Sequence, residues 1–163
     1  LSHEQDSINF IGLSPGSNGS PAPCCLPIPG DPIVGIAKKK KGVVVHAIDC
    51  ALLASFEAKP NLWLEVRWPP GSNKSVHSTS IEVTMVNSVG VLGRICTLIG
   101  EQGANISDLT FVMRKPDFYQ TVFELTVRDL KHLHNIITSI QVDMDVSEAS
   151  RYRMNEFKVN QIK

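Results

Sequence analysis

The hydrophobic pattern becomes regular in the second half of the chain, after residue 78. Ile81, Val83 and Met85 alternate with polar residues, which predicts a half-buried strand that ends at Asn87. An amphipathic helix is predicted next, because apolar residues recur at helical spacing and Gly103 suits a left-handed C-terminal cap. The apolar positions of this helix are Val91, Leu92, Ile95, Leu98 and Ile99.

A β-hairpin, a second helix and a last strand complete the regular half. Two alternating runs flank a turn at 115–117, Asp129 is a suitable N-cap for the helix, and a last strand is expected at 142–146. The apolar positions are Leu109, Phe111, Met113, Tyr119, Phe123, Leu125 and Val127 in the hairpin, Leu130, Leu133, Ile136, Ile137 and Ile140 in the helix, and Val142, Met144 and Val146 in the last strand. The order βαββαβ predicts a ferredoxin-like antiparallel sheet with both helices on one face. Because one face and two edges stay uncovered, a homodimer is expected.

The first half is irregular and predicts a small α/β module, so the fold class is α+β. Residues 1–23 are rich in Gly, Pro and Ser and are expected to be a partly ordered linker. The module occupies 24–69, a second linker 70–78, the regular domain 79–152 and a tail 153–163. Within the module, β-rich runs are expected at 33–36 and 42–48, before an apolar stretch at 51–56. A core of this size is usually inadequate alone, so a metal or a docked neighbour should add stability.

Composition narrows the functional class. The 16 Lys+Arg balance 16 Asp+Glu, which excludes a protein that holds nucleic acid by its overall charge. No apolar run approaches the roughly 18 residues of a membrane-spanning helix, so a soluble protein is expected. The chain opens at Leu1 without a signal segment, which indicates a piece of a longer protein. Its 4 cysteines are too few for a disulfide scaffold, and a reducing, cytoplasmic location is expected.

Three cysteines and one histidine form a plausible Cys₃His zinc set: Cys24, Cys25, His46 and Cys50. His46 and Cys50 would face the same way if a helix began there, and nearby prolines could hold the cysteine pair in a turn. The alternative is ordinary buried thiols and a core histidine. Four protein ligands would leave no open position for water, so a bound zinc ion would be structural.

The sharpest charge feature is the run Lys38, Lys39, Lys40 and Lys41, which could contact a phosphate backbone. A solvated turn is the alternative for these lysines. Trp63 and Trp68 could stack on bases, but their alternating positions favour a core or interface role.

The segment from Asn87 to Leu92 joins the first regular strand to the first helix. Free N–H groups at a helix N-terminus can hold a carboxylate, and Gly90 would let a ligand approach the backbone. A tight turn that needs glycine is the alternative.

No catalytic constellation accompanies these features. Glu82, Glu124, Asp143 and Asp145 are expected to point outward from strands without forming an acid/base pair. His132 and His134 are expected at the surface, and neither a nucleophile elbow nor a phosphate-binding loop is present. The sequence therefore predicts that this chain is not itself an enzyme.

Three segments of the first module resemble the zinc-finger-like domain of long RelA/SpoT homologues: CCLPIPGD at 24–31, IVG at 33–35 and GVVVHAIDC at 42–50. The region from Ile81 to Arg151 resembles the ACT domain that follows it in that family. The resemblance implies the regulatory C-terminal end of a stringent-response enzyme that makes and hydrolyses (p)ppGpp, a GTP pyrophosphokinase and 3'-pyrophosphohydrolase. The catalytic domains would then lie upstream, and Cys24, Cys25, His46 and Cys50 would be the family's zinc ligands.

The resemblance also implies an effector and partners. ACT domains bind small effectors, mostly amino acids, at a dimer interface, between the first βα loop of one copy and a strand of the other. The corresponding residues are Asn87, Val89, Gly90, Val91 and Leu92, facing Asn105, Ile106 and Ser107. Because they include no formal charge, the expected effector is valine, isoleucine or leucine, acting allosterically on the catalytic domains. The alternative is a module that dimerises and binds the ribosome or tRNA through its lysines without a small ligand.

Overall fold

The computed structural model describes residues 7–40 and 42–154, and the chain divides into two compact units. The first unit contains the described residues up to Ser72 together with Arg153 and Met154, and the second unit is Asn73–Tyr152. Among the described helices, none is long and apolar enough to cross a membrane.

A four-stranded sheet forms the centre of the first unit. Its strands are β1 (Gly19–Pro21), β2 (Ile33–Lys38), β3 (Gly42–Ala47) and β4 (Trp63–Leu64), in the order β1-β3-β2-β4. β1 runs parallel to β3, and β2 is antiparallel to both β3 and β4. The two predicted β-rich runs are confirmed, and the apolar stretch that follows them is a 3-10 helix, Ala51–Phe56. A second 3-10 turn occupies Pro60–Leu62.

The segment before the cysteine pair is integral to the first unit. Phe10 is 5% exposed and packs in a cluster with Val43, Val45 and Val66. Its ring centroid lies 5.0 Å from that of Trp68. β1 also lies inside the region 1–23, so the described part of that region differs from the expected partly ordered linker, while residues 1–6 lie outside the described residues.

The second unit has the predicted ferredoxin-like fold. Its elements are β5 (His77–Val86), α1 (Val91–Glu101), β6 (Asn105–Arg114), β7 (Phe118–Val127), α2 (Leu130–Gln141) and β8 (Val146–Arg151). The sheet order is β6-β7-β5-β8, and all neighbouring strands are antiparallel. β5 begins inside the region 70–78 that was expected to be a linker, and a 3-10 turn, Ser72–Lys74, lies there too.

One hydrophobic core of the second unit contains the alternating apolar residues of the central strands and the apolar residues at helical spacing in the two helices. Ile81 pairs with Phe123 across β5 and β7, and both side chains are fully buried. The helices bury their apolar stripes, which include the fully buried residues Ile95, Ile99, Leu133, Ile136 and Ile140. The two predicted helices and the predicted hairpin are therefore confirmed.

The last strand is not where the alternation at 142–146 placed it. β8 begins at Val146, which pairs with Met85, and continues to Arg151. Val142 and Met144 are 77% and 98% exposed, so they do not belong to a half-buried strand. The prediction was wrong because Asp143 and Asp145 bind an arginine of α1, as described below, and the segment that holds them is a turn before the strand.

Candidate metal centre and ligand loop

Three chain segments bring the predicted metal ligands together in the first unit. Cys24 and Cys25 lie in a turn after β1, where the backbone N–H of Cys25 donates to Ala22 O. His46 lies in β3, and Cys50 follows a turn in which its N–H donates to Ala47 O. A strand and a turn, and not the helix considered above as a condition, bring His46 and Cys50 to the same point.

The four ligand atoms lie within 4.8 Å of one another. Cys24 Sγ is 3.9 Å from Cys25 Sγ, 3.6 Å from Cys50 Sγ and 3.4 Å from His46 Nδ1, and Cys25 Sγ is 4.0 Å from the same nitrogen. Tetrahedral zinc places two sulfurs about 3.8 Å apart and a sulfur and a nitrogen about 3.5 Å apart. The side chains therefore have the chemistry and spacing to hold a metal ion.

Hydrogen bonding and burial raise the pKa of two of these thiols when no metal is bound. The pKa of the Cys25 thiol is raised to about 12, first by its hydrogen bond with Cys24 and then by burial. The pKa of Cys50 is raised as well, first by burial and then by the charge of Cys25. His46 is 4% exposed, and its Nε2 is buried without a hydrogen-bond partner among the described residues. Thus His46 would ligate through Nδ1, the nitrogen that faces the sulfurs.

The described lysines of the run lie at the end of β2 and in the turn that follows it. Lys38 ends β2 with its Nζ 5.8 Å from the centre of the Phe56 ring, and Lys39 and Lys40 are exposed. Lys41 lies outside the described residues.

Both tryptophans have structural partners in the first unit. Trp63 Nε1 donates to Phe56 O at 2.9 Å, and Trp68 Nε1 donates to Asp31 O at 3.1 Å. These contacts agree with the predicted core role and leave the indole N–H groups engaged.

The predicted ligand loop joins β5 to α1 in the second unit. Asn87 holds this loop to the β6–β7 turn, because its Nδ2 donates to Lys115 O and Pro116 O, each at 3.2 Å. Val89 is fully exposed, whereas Val91 is 2% exposed and faces the core. Gly90 has a φ of 86°, which favours glycine, and a Cβ there would meet nothing within 4 Å.

An ion network lies next to this loop and was not predicted. Arg94 in α1 donates to both carboxylate oxygens of Asp143, at 2.6 and 3.0 Å, and to Asp145 at 2.7 Å. The guanidinium lowers the pKa of Asp143 to about 2. The positive charge of Arg94 is therefore already paired with two carboxylates. This arrangement differs from the expectation that Asp143 and Asp145 point outward from strands without a partner.

The two predicted halves of the ligand site lie at opposite ends of the sheet within one chain. Val86, next to Asn87, pairs with Phe118 at one end, whereas Asn105 pairs with Thr126 near the other. The eight residue-to-residue steps from 118 to 126 span roughly 26 Å of strand. One copy of the second unit cannot bring both halves to a single amino acid.

His132 is buried, which corrects the expected surface position, while His134 on the same helix is exposed. The backbone N–H of Arg128 donates to His132 Nδ1 at 3.2 Å, so Nδ1 carries no proton. His132 Nε2 therefore carries the proton and donates to Gln102 O at 2.6 Å. The ring joins the C-terminal end of α1 to the start of α2. The only feature of the sequence that could have indicated this role is the position of His132 three residues after the N-cap Asp129.

Both units match known family models. The model of the RelA/SpoT RIS domain matches residues 9–69, and the model of the ACT domain matches residues 73–151. The chain is a RIS–ACT segment of the RelA/SpoT family. This confirms the predicted family and shows that its first domain begins well before the cysteine pair.

Curated relatives of this RIS–ACT segment are much longer proteins. The GTP pyrophosphokinase rsh of Brucella suis biovar 1 is 34% identical over 125 residues, which is 76% of this chain and 17% of that protein. The bifunctional (p)ppGpp synthase/hydrolase SpoT of Escherichia coli K12 is 33% identical over 132 residues, 81% of this chain and 19% of that protein. The chain thus spans less than a fifth of the relatives it matches. A solved ACT domain from the GTP pyrophosphokinase of Chlorobium tepidum is 14% identical, with a TM-score of 0.43 over 48% of this chain and 100% of that one.

Proposed function

We propose that this segment is the regulatory part of a (p)ppGpp synthetase/hydrolase, and that its ACT unit binds a branched-chain amino acid. In this proposal the amino acid changes the balance of synthesis and hydrolysis in catalytic domains elsewhere in the full-length protein. A coupling free energy of about 1 to 3 kcal/mol would be typical of such allosteric control.

The observation on which the proposal rests is a difference between the two helix starts. α2 is capped by Asp129, whose carboxylate accepts the His132 N–H at 2.8 Å. α1 begins at Val91, and its N-cap residue Gly90 provides no side-chain cap. The first N–H groups of a helix have no intrahelical acceptors and carry partial positive charge. The N–H of Val91 donates to Ser88 O at 3.3 Å, so the donors that α1 offers to a ligand carboxylate are the next ones, at Leu92 and Gly93.

The surroundings of this helix start favour an uncharged ligand side chain. Val89, Gly90 and Leu92 carry no charge, and Arg94 in the first turn of α1 is already paired with two aspartates. A charged ligand side chain would lose hydration there without gaining a partner. Valine, isoleucine and leucine meet this requirement while keeping the carboxylate.

The site would be completed by a second copy of the chain. β6 is an edge strand, and its first residues, Asn105, Ile106 and Ser107, lie at the other end of the sheet from the β5–α1 loop of the same copy. An antiparallel dimer reverses one sheet relative to the other, so the start of β6 in one copy can meet the β5–α1 loop of its partner. The proposed dimer is therefore part of the binding site.

Calorimetric titration with valine, isoleucine and leucine tests the effector. Val89→Glu adds a negative charge at a fully exposed position and should reduce affinity at least tenfold by repelling the carboxylate. Ile11→Glu is the matched control, because Ile11 is 44% exposed and lies in the first unit. No binding of any amino acid by the unaltered chain would contradict the sensor proposal.

Mixing two disabled variants tests the composite site. Asn105→Lys should repel the ligand ammonium group, and neither it nor Val89→Glu should bind alone. In a random mixture half of the dimers are mixed, and each contains one intact site, so about a quarter of the sites should recover. If the site lay within one chain, mixing would restore nothing.

We further propose that Cys24, Cys25, His46 and Cys50 bind a structural zinc ion. The number of sulfur ligands favours zinc over magnesium or calcium, and four ligands leave no position for a reacting water. Metal analysis of the purified chain should give one zinc per chain, and Cys24→Ser should lower it. Unchanged zinc content in that variant would contradict the ligand assignment.

Nucleic-acid binding by the first unit is a second candidate function, favoured by the exposure of Lys39 and Lys40 in the β2–β3 turn. Ribosome binding across a salt series should weaken steeply with salt and should weaken further in Lys39→Ala/Lys40→Ala. Lys131→Ala, an exposed lysine of the second unit, is the control. Equal binding by both variants would contradict a role for the turn.

A further inference from the structure

The three sulfurs of the proposed metal centre differ in exposure. Cys24 is partly exposed, whereas Cys25 and Cys50 are 2% and 5% exposed. A small oxidant in solution therefore reaches the sulfur of Cys24 before it reaches the other two. Oxidation of a thiolate sulfur depends on such access.

Only one of the neighbouring sulfurs is suited to trap an oxidised Cys24. Cys50 Sγ is 3.6 Å away and belongs to a different chain segment. Cys25 Sγ is 3.9 Å away, but it belongs to the adjacent residue. Adjacent Cα atoms are about 3.8 Å apart, whereas disulfides need about 4.4 to 6.8 Å, so pairing Cys24 with Cys25 would be strained.

We propose that this centre is also a site of reversible oxidation, at which a hydroperoxide joins Cys24 to Cys50 and releases the metal. The proposal rests on the metal binding proposed above. The Cys24 thiolate attacks one oxygen of hydrogen peroxide, so that an S–O bond forms, the O–O bond breaks and hydroxide leaves. The Cys50 thiolate then attacks Cys24 Sγ, so that the S–S bond forms, the S–O bond breaks and a second hydroxide leaves. Two electrons pass from the sulfurs to the peroxide, and two protons convert the hydroxides to water.

Loss of two thiolate ligands would leave only Cys25 and His46, which is too few to retain the metal tightly. The turn that holds Cys24 also receives the N–H of Met154, which donates to Cys24 O at 3.0 Å. Oxidation would therefore change the ligand set at a point where two distant chain segments of the first unit meet.

The test uses the whole zinc-loaded chain, treated with hydrogen peroxide in a titration. Zinc release is followed with a metallochromic dye, and the products are digested with trypsin for mass spectrometry. Cys24 and Cys25 fall in peptide 1–38, Cys50 in 42–67, because trypsin does not cleave between Lys59 and Pro60, and Cys96 in 95–114. Fragmentation between Cys24 and Cys25 identifies which of the two is linked, and Cys96, a partly exposed thiol of the second unit, is the internal control.

The expected result is one link between Cys24 and Cys50 for each zinc released, with both changes reversed by a thiol reductant plus zinc. Cys50→Ser should give no link, and its Cys24 should be trapped as a sulfenic acid by a dimedone probe. A link through Cys25 or Cys96, or zinc retained while Cys96 is oxidised, would overturn the proposal. Zinc analysis before oxidation tests the metal centre separately: a chain with no zinc overturns that assignment, whereas zinc that peroxide does not release overturns only the redox step.

Discussion

Replacing His132 tests whether its ring holds the two helices of the ACT unit together. The ring donates to Gln102 O and accepts from the Arg128 N–H. His132→Ala removes the ring and leaves these two backbone groups without it. A buried polar group left unpaired costs about 1 to 3 kcal/mol, and water can replace part of each bond because Gln102 and Arg128 are exposed. With the lost packing of a ring that is 5% exposed, we expect about 2 to 3 kcal/mol.

Hydrogen exchange of peptides from α1 and α2 in a urea series is the appropriate assay, because both tryptophans lie in the first unit and do not report on these helices. The expected change corresponds to about 10 to 20 °C in the melting temperature of a unit of this size. His134→Ala, on the exposed side of α2, should change stability by less than about 0.5 kcal/mol. If the two alanine variants were equally stable, the role given to the His132 ring would be refuted.

Two further variants separate the two hydrogen bonds of this ring. His132→Asn places an acceptor near the position of Nδ1 and should retain the bond from Arg128. His132→Gln places a donor near the position of Nε2 and should retain the bond to Gln102 O. Each should therefore lose less stability than His132→Ala.

Three other predictions follow from particular contacts. Asp143→Asn should lower the free energy of unfolding at neutral pH but not near pH 2. Arg94 depresses the pKa of Asp143 to about 2, so the stabilisation by this ion pair is lost as pH falls from about 4 to about 2. Urea midpoints of both proteins between pH 2 and pH 7 measure this difference. Gly90→Ala should cost about 1 to 2 kcal/mol because of its φ of 86°, whereas Gly93→Ala, inside α1, should be neutral or stabilising; equal effects in thermal unfolding would contradict this account. Zinc affinity should rise roughly tenfold per pH unit for each displaced thiol proton, including that of Cys25 with its pKa of about 12, and competition with a chelator across pH measures the slope.

The sequence predicts the strands and helices whose apolar residues recur with a regular period. The alternation through Ile81 and Val83 and the helical spacing through Ile95 and Ile99 were sufficient, because each pattern reflects burial against one shared core. The convergence of Cys24, Cys25, His46 and Cys50 on one point could also be predicted, because three thiols and an imidazole form a common zinc ligand set. A helix between His46 and Cys50 is not needed for a metal site, because a strand and a turn bring their ligand atoms equally close together.

Features that depend on distant partners could not be predicted in this way. The alternation at 142–146 imitates a strand, but Asp143 is positioned by Arg94, a residue 49 positions away. His132 is buried because the end of another helix supplies a carbonyl oxygen. The segment around Phe10 is ordered by Val43 and Val66, which periodicity within that segment does not reveal.

The first unit is formed by two separate segments of the chain, which affects how the protein can be divided for experiments. Arg153 and Met154 follow the ACT fold in sequence, yet they belong to the first unit, where Arg153 pairs with Asp49 and Met154 donates to Cys24 O. A gene cut at residue 72 would give an N-terminal product without these two contacts. Any defect of that product would combine the loss of the ACT unit with the loss of a part of its own structure. Rejoining residues 72 and 153 through a short flexible linker, with 73–152 deleted, would separate the two effects.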